Sequence, residues 1–334
     1  SETRIDLGDR LGLDMVVDGQ AKIRELHVAR IGRQLGEDFL LCPHRHLHNG
    51  VDERDLGVQA GIGHFRDASK PQNKTKLTLI DGEGPAPAPG QFYMLAASPD
   101  WAAEGGRPYL PRAISFARVS ENLTGGLRLD FLIDEVGPGT SRLAQMKPGE
   151  SCWVAGPFGG RFSLPGQLNP EAAGAILVGG GIGIAPMAVL RHQLVDRGIP
   201  SRSLLGFRDQ AHSGGIDELF GCENTRLAFE DGSSGHRGYV TDLLLQVLEG
   251  DDAGSAAVYS CGPPAMLEAV RQICLARDIP VELALESPMA CGYGACFGCA
   301  VPKADGGYLR LCIDGPVVRG DEIATAMAGE PAVD

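Results

Sequence analysis

The chain has 334 residues, 43% of them hydrophobic and 22% charged, which is apolar material enough for the cores of two or three modules. Lys and Arg number 30 against 43 Asp and Glu, a formal charge of −13, and this argues against nucleic acid or an anionic membrane surface as the main partner. No apolar run approaches the ~18 residues of a membrane span, and the first residues lack a signal peptide's basic-then-apolar order. The expected location is therefore the cytoplasm. Four of the nine cysteines crowd into residues 291–312, and in a reducing compartment such crowding points to metal rather than to disulfides.

Residues 1–73 carry the weakest pattern. A strand-like run at 24–31 is followed by a polar stretch with His44, His46 and His48. Alternate residues of an extended strand share a face, so three imidazoles there would converge. A polar loop is the simpler expectation, because no fourth ligand is suitably spaced. From 77 to 153 the pattern is short strands, at 76–80, 91–96, 113–119, 127–133 and 151–155, punctuated by glycine and proline. That texture predicts a small antiparallel barrel.

Near 165–173 the texture changes. The apolar run 175–178 predicts a buried parallel strand, followed by glycines and a helix at 187–197. Further strands are expected at 203–207, 226–230 and 256–260, with helices at 240–248 and 264–277 and a closing strand at 281–285. Strand–helix alternation predicts an α/β unit with a parallel sheet. The last fifty or so residues, rich in glycine and cysteine, are too few to hold themselves without a staple or cofactor. The expected division is 1–73 as an N-terminal extension with the first barrel strand and an insertion, 74–168 as barrel, 169–284 as α/β unit, and 285–334 as cluster unit.

Cys291, Cys296, Cys299 and Cys312 follow the spacing C-x4-C-x2-C-x12-C. The first three match the plant-type [2Fe–2S] ferredoxin spacing. Two irons need four thiolates; a tight loop must carry three of them, and the fourth, Cys312, is expected on a separate strand at 308–312. Gly292, Gly294, Ala295 and Gly298 are small enough to let that loop wrap closely. A four-cysteine zinc site is the rival, but such sites usually show two C-x2-C pairs and this chain has one.

Gly179, Gly180, Gly181 and Gly183 sit between the 175–178 strand and a helix start, where free N–H groups suit a phosphate. Pro186 stands where the common dinucleotide fingerprint has its last glycine, and proline in a first helical turn costs no hydrogen bond. A plain tight turn would look the same. Cys261, Gly262 and Pro263 form a second strand–turn–helix junction.

In order, these motifs resemble the ferredoxin–NADP reductase superfamily: Arg112-Ala113-Ile114-Ser115, then Gly137 to Thr140, Gly156 to Gly159, the glycine loop, and Cys261 to Pro263. The cysteine tail and the segment from Glu230 to Asp242 narrow the resemblance to the electron-transfer subunits of the two-subunit, NAD-linked dihydroorotate dehydrogenases. It spans roughly residues 75–320. The resemblance implies an FAD-binding antiparallel barrel, a parallel-sheet nicotinamide-nucleotide domain and a small C-terminal [2Fe–2S] domain. It implies that Arg112 meets the FAD pyrophosphate and that Ser115 lies near the reactive flavin ring, with Ala113 and Ile114 between them as further cofactor-binding residues. It places Leu132, Ile133 and Asp134 along the flavin, and Gly139 and Thr140 at the pyrophosphate. It assigns the glycine loop, Asp231, Cys261, Gly262 and Pro263 to the nicotinamide nucleotide, with Cys261 a contact rather than a nucleophile.

The same resemblance implies NAD(H) as electron source and an FMN-containing catalytic partner that interconverts dihydroorotate and orotate. NADH against NADPH stays open on the residues alone: Arg208 suits a 2′-phosphate and Asp209 repels one. An electron-transfer subunit of a hydrogenase, sulfite reductase or bifurcating transhydrogenase is the alternative. A scaffold protein that has lost turnover is a further class, and the intact motifs argue against it.

Overall fold

The computed structural model describes residues 74–97, 101, 110–123, 125–250 and 255–327, together with the backbone of four strands before residue 65. His44, His46 and His48 lie outside the described residues. In chain order the first strands are β1 (Arg4–Asp6), β2 (Asp14–Val16), β3 (Lys22–Val28), β4 (Gly63–His64), β5 (Lys74–Asp81), β6 (Phe92–Ala97), β7 (Arg112–Glu121), β8 (Leu127–Asp134) and, after helix α1 (Pro138–Ala144), β9 (Ser151–Phe158). β1 and β2 pair with each other.

The rest form one antiparallel sheet in the order β3-β9-β6-β7-β8-β5-β4, and a further β3–β5 pairing closes it. Closure removes the free edges that an open sheet would expose. Leu77, Leu79, Tyr93, Leu95, Phe116, Leu129, Phe131 and Ile133 fill the interior, and the alternation of the strands puts their neighbours outside. Tyr93 meets the edges of Phe116 and Phe131 at centroid distances of 6.2 and 5.7 Å.

Helix α2 (Pro165–Leu168) leads to β10 (Gly174–Gly180), α3 (Ile184–Asp196), β11 (Ser201–Phe207), α4 (Ile216–Leu219), β12 (Thr225–Phe229), β13 (His236–Arg237), α5 (Val240–Leu248), β14 (Ala256–Cys261), α6 (Pro264–Leu275) and β15 (Val281–Ala284). These strands run parallel in the order β13-β12-β11-β10-β14-β15. Order reverses between β10 and β14, the switch point where such sheets open a crevice at their carboxyl ends.

Three expectations change in detail. Helix α3 begins at Ile184, inside the region expected to be turn, because Pro186 falls within a first turn whose N–H groups have no helical acceptor. Its buried residues run nearly all round its first two turns, since it lies between the sheet and barrel strand β7. The run at 281–285 does not close the sheet. The C-terminal segment folds as hairpin β16 (Ala300–Pro302) and β17 (Tyr308–Arg310), then adds β18 (Val317–Arg319) antiparallel to β15. The tail is thus stapled to the α/β sheet by backbone pairing and by α6. There, Arg271 donates to the carbonyls of Gly320 and Ile323, and Glu268 accepts from the Ala326 N–H at 2.6 Å. Third, Cys312 follows β17 in a turn rather than lying on the strand.

A polar seam joins the barrel to the α/β sheet. Lys76 pairs with Glu218 at 2.8 Å, and Arg118 donates to the Glu218 carbonyl at 2.8 Å. Lys74 and Lys76 on the outward face of β5 thus reach partners in the α/β unit.

Candidate functional site

The glycine loop follows β10 and the Cys261–Pro263 turn follows β14, so parallel pairing of these strands sets the two side by side at the switch point. They touch through backbone. A Cβ at Gly183 would overlap the Cys261 carbonyl and the Gly262 nitrogen, and one at Gly180 would meet Met266 and Pro263. Glycine is needed at both places for close approach, and Gly181 also has φ +57. Cys261 is only 4% exposed, and burial, followed by the nearby Glu286 charge, pushes its thiol well above the ordinary range. A thiol so held is a poor nucleophile, and the turn's backbone is left as the part that a ligand would meet.

Asp231 lies exposed on the loop after β12 and accepts from the Ser233 N–H at 2.9 Å, while its own N–H donates to the Arg208 carbonyl at 3.2 Å. Asp209 is braced by His212, with Oδ1 accepting from the His212 N–H at 3.0 Å and lying 2.7 Å from Nδ1. The hydrogen bonds from the His212 ring and backbone hold the Asp209 carboxyl below its usual range, against a smaller effect of burial. Arg208, Asp209 and Asp231 thus meet at the carboxyl ends of neighbouring strands, β11 and β12.

On the barrel, β7 pairs with β6 so that Arg112 faces Leu95, Ala113 faces Met94, Ile114 faces Tyr93 and Ser115 faces Phe92. Ile114 packs towards the barrel interior. Ala113 packs on the outer side with Phe92 and Met94, and by alternation Ser115 shares that side. The Arg112 guanidinium donates to the Leu110 carbonyl at 2.6 Å, lies 5.9 Å over the Trp101 ring, and occupies the space a Cβ on Gly139 would need. Arg112 and Gly139, far apart in sequence, therefore form one corner. Beside it stands the first turn of α1, whose N–H groups have no helical acceptor.

A planar cation against free backbone donors is the donor set a diphosphate requires, and the corner fits the FAD pyrophosphate. Thr140 contributes less than expected. Its Oγ1 accepts from the Val136 and Gly137 N–H groups at 3.0 and 3.1 Å and donates to the Gly137 carbonyl, so the hydroxyl serves its own turn. Leu132 and Ile133 point to opposite sides. Ile133 is in the barrel core at 0% exposure, so only its backbone is left for a flavin, whereas Leu132 packs with the α/β unit. Asp134 is half-buried.

The four clustered cysteines form two pairs. Cys299 and Cys312, both 2% exposed, have their sulfurs 3.3 Å apart. Cys291 lies within hydrogen-bonding reach of Cys296. Among the described residues no three His, Cys, Asp or Glu side chains converge as a site for one ion. Two pairs are what a dinuclear centre needs, because two sulfurs on one tetrahedral metal at ~2.3 Å stand about 3.7 Å apart. The loop also supplies N–H groups. Burial opposes ionisation of Cys291, but the amides of Cys296, Tyr293 and Ala295 together with the Cys296 side chain outweigh it, and its thiol falls to about 7. Burial and the hydrogen bond with Cys299 push the Cys312 thiol up to about 12.

The cluster loop rests on the barrel. A Cβ at Gly292 would meet Met94 and Phe158, and Gly159 has Pro316 and the Gly315 carbonyl in the same relation. Met94 stands opposite Ala113, so the outer side of β6 and β7 touches the cluster loop directly.

Two family models match parts of the chain. Residues 286–324 match the iron–sulfur cluster binding domain of dihydroorotate dehydrogenase B, and residues 177–272 match the oxidoreductase NAD-binding domain. A dihydroorotate dehydrogenase B (NAD+) electron transfer subunit from Bacillus caldolyticus is 38% identical over 240 residues, covering 70% of this chain and 86% of that relative. The chain belongs to this electron transfer subunit family. A Listeria innocua member is 38% identical over 255 residues, covering 75% of this chain and 94% of its own length.

Among solved structures, an NADH-dependent reduced ferredoxin–NADP oxidoreductase studied for flavin-based electron bifurcation superposes with a TM-score of 0.62 at 23% identity, over 76% of this chain and 86% of that one. A Neisseria gonorrhoeae ferredoxin NADP+ reductase with bound FAD and NADP gives 0.52 at 16%, over 78% and 92%. Both share the fold. No helix among the described residues is long and apolar enough to cross a membrane.

Sequence reasoning missed three residues around this dehydrogenase-subunit site. Lys74 and Met94 sit within strands whose alternation alone suggests no role. Glu286 is open to solvent yet hemmed in by protein, which raises its carboxyl pKa, and its charge bears on Cys261. Only its place just before the cysteine loop could have drawn notice.

Proposed function

We propose that the chain carries electrons between NAD(H) and a catalytic partner subunit, with FAD in the barrel corner and a [2Fe–2S] cluster on Cys291, Cys296, Cys299 and Cys312. FAD, when bound, supplies the conversion between a two-electron hydride and the single electrons an iron–sulfur cluster takes. One observation carries the reading: the outer side of β6 and β7, bearing Ala113, Ser115 and Met94, meets the cysteine loop at Gly292. Arg112 and the first turn of α1 hold the pyrophosphate, and the Ala113–Ser115 side takes the ring, with the Ser115 hydroxyl as its hydrogen-bonding group. The glycine loop, Asp231 and the Cys261–Pro263 turn take the nicotinamide nucleotide across the switch-point crevice.

The partner would carry FMN and interconvert dihydroorotate and orotate, in the cytoplasm. Support comes from the relatives' name and from the cysteine loop's surface, where Phe297 is 61% exposed beside Arg310 and Ile313 is also open. Anaerobic titration with NADH tests the assignment: flavin absorbance should bleach and a reduced-cluster electron paramagnetic resonance signal should appear. Purified protein with zinc and no acid-labile sulfide would overturn the cluster.

A further inference from the structure

Lys74 opens β5 on the barrel, yet its side chain ends inside the α/β unit. The residue is 5% exposed. Its ammonium donates to the His212 carbonyl at 2.7 Å and to the Gly181 carbonyl at 3.3 Å, and lies 5.0 Å from the centre of the Phe207 ring. Gly181 belongs to the glycine loop. His212 closes the loop after β11 that presents Arg208 and Asp209. One barrel side chain therefore holds both nucleotide-side loops.

The chemistry of the contacts says what this achieves. A trans peptide is planar, so fixing the Gly181 carbonyl fixes the plane of the Gly181–Ile182 peptide and the direction of the Ile182 N–H. Gly181 is the loop's freest residue, at φ +57, and has most to gain from an external tie. The other tie acts on a loop already braced internally, since Asp209 and His212 hold each other. An ammonium buried this deeply costs stability unless its donors are used. Burial lowers its pKa to about 8, and the charge of Asp134 partly offsets that fall. A neutral chain of similar reach would fill the space without that cost. What the ammonium adds is two directed donors.

We propose that Lys74 is a positioning residue for the dinucleotide, locking the glycine loop and the 208–212 loop to the flavin barrel and so setting the affinity for NADH. This rests on the reading of the α/β crevice as the NADH site.

The test uses the full chain loaded with FAD and cluster. Stopped-flow reduction over a range of NADH concentrations separates the apparent Kd from the limiting rate. Lys74→Met should raise Kd about tenfold, with the limiting rate within about twofold of wild type and FAD content unchanged. Lys74→Gln, which keeps a shorter donor, should move Kd in the same direction by less, and it serves alone if the Met variant does not fold. Calorimetric titration with NAD+ should show the same weakening without turnover. An unchanged Kd in the variants would overturn the proposal. So would a lower limiting rate at unchanged Kd, or loss of FAD, each of which would place Lys74 in another role. A wild-type chain that NADH does not reduce would instead refute the crevice assignment.

Discussion

At the residue scale the structure turns on close approaches that only small side chains permit. Gly183 lies against the peptide after Cys261, so Gly183→Ala should force the two nucleotide turns apart. NADH affinity should fall while flavin content holds, measured by NADH titration and by flavin absorbance per chain. Unaltered affinity would mean that the contact is mere packing. Arg112 is expected to act on the other cofactor. Arg112→Ala removes a charge-assisted bond to a diphosphate, worth about 1.5–3 kcal/mol, so FAD should dissociate roughly tenfold to a hundredfold more readily with little change in melting temperature. Full flavin after purification of the variant would contradict its role. The glycines and the cysteines were legible in the sequence because each chemistry demands a residue type at a spacing, and Arg112 came with the family resemblance. Lys74 was not, because its partners stand 107 and 138 residues away and a lysine opening a strand usually faces water.

At the scale of elements, the strands and helices follow the apolar pattern closely. Their departures sit where tertiary contact overrides local signals. The edge of the parallel sheet was misread because β18, the strand that covers β15, is three residues long and lies beyond the cysteine loop. That edge is held by Glu268 on α6, which gathers Arg271, Thr325, Gln272 and the Ala326 N–H. Burial would raise its carboxyl pKa, but the Ala326 amide, Gln272, Arg271 and Thr325 outweigh it, and the folded value falls below the usual one. A carboxylate lowered on folding stabilises the fold fully above its unfolded pKa, about 4.3, and the contribution is lost as pH falls through the folded value. Glu268→Gln should therefore lower the melting temperature at pH 7, and the gap to wild type should close as pH drops below about 4. A gap independent of pH would show that the charge is not what matters.

At the scale of the molecule, the α/β sheet and the cysteine loop both pack against the barrel. The order of motifs made the architecture legible; the contacts that join the units, the seam of Lys74, Lys76 and Arg118 and the meeting of Met94 with Gly292, depend on folding and leave no local trace. Under the proposed assignment each site serves an electron carrier: the Arg112 corner FAD, the crevice NADH and the four cysteines the cluster. The isolated chain should therefore reduce artificial dyes with NADH and show no dihydroorotate turnover, which adding the catalytic partner should restore. Dihydroorotate oxidation by the chain alone would contradict the division of labour.

In the proposed electron path, Cys291, Cys296, Cys299 and Cys312 hold a [2Fe–2S] cluster that accepts electrons delivered by NADH through a flavin bound in this barrel. The most direct test is low-temperature electron paramagnetic resonance of the purified chain after anaerobic addition of NADH, read beside iron, acid-labile sulfide and flavin content. Expected are two irons, two sulfides and one FAD per chain, and a reduced [2Fe–2S] signal that Arg112→Ala loses with its flavin and regains with dithionite. An NADH-reduced cluster signal of full intensity in flavin-free protein, or four cysteines bound to zinc, would contradict it.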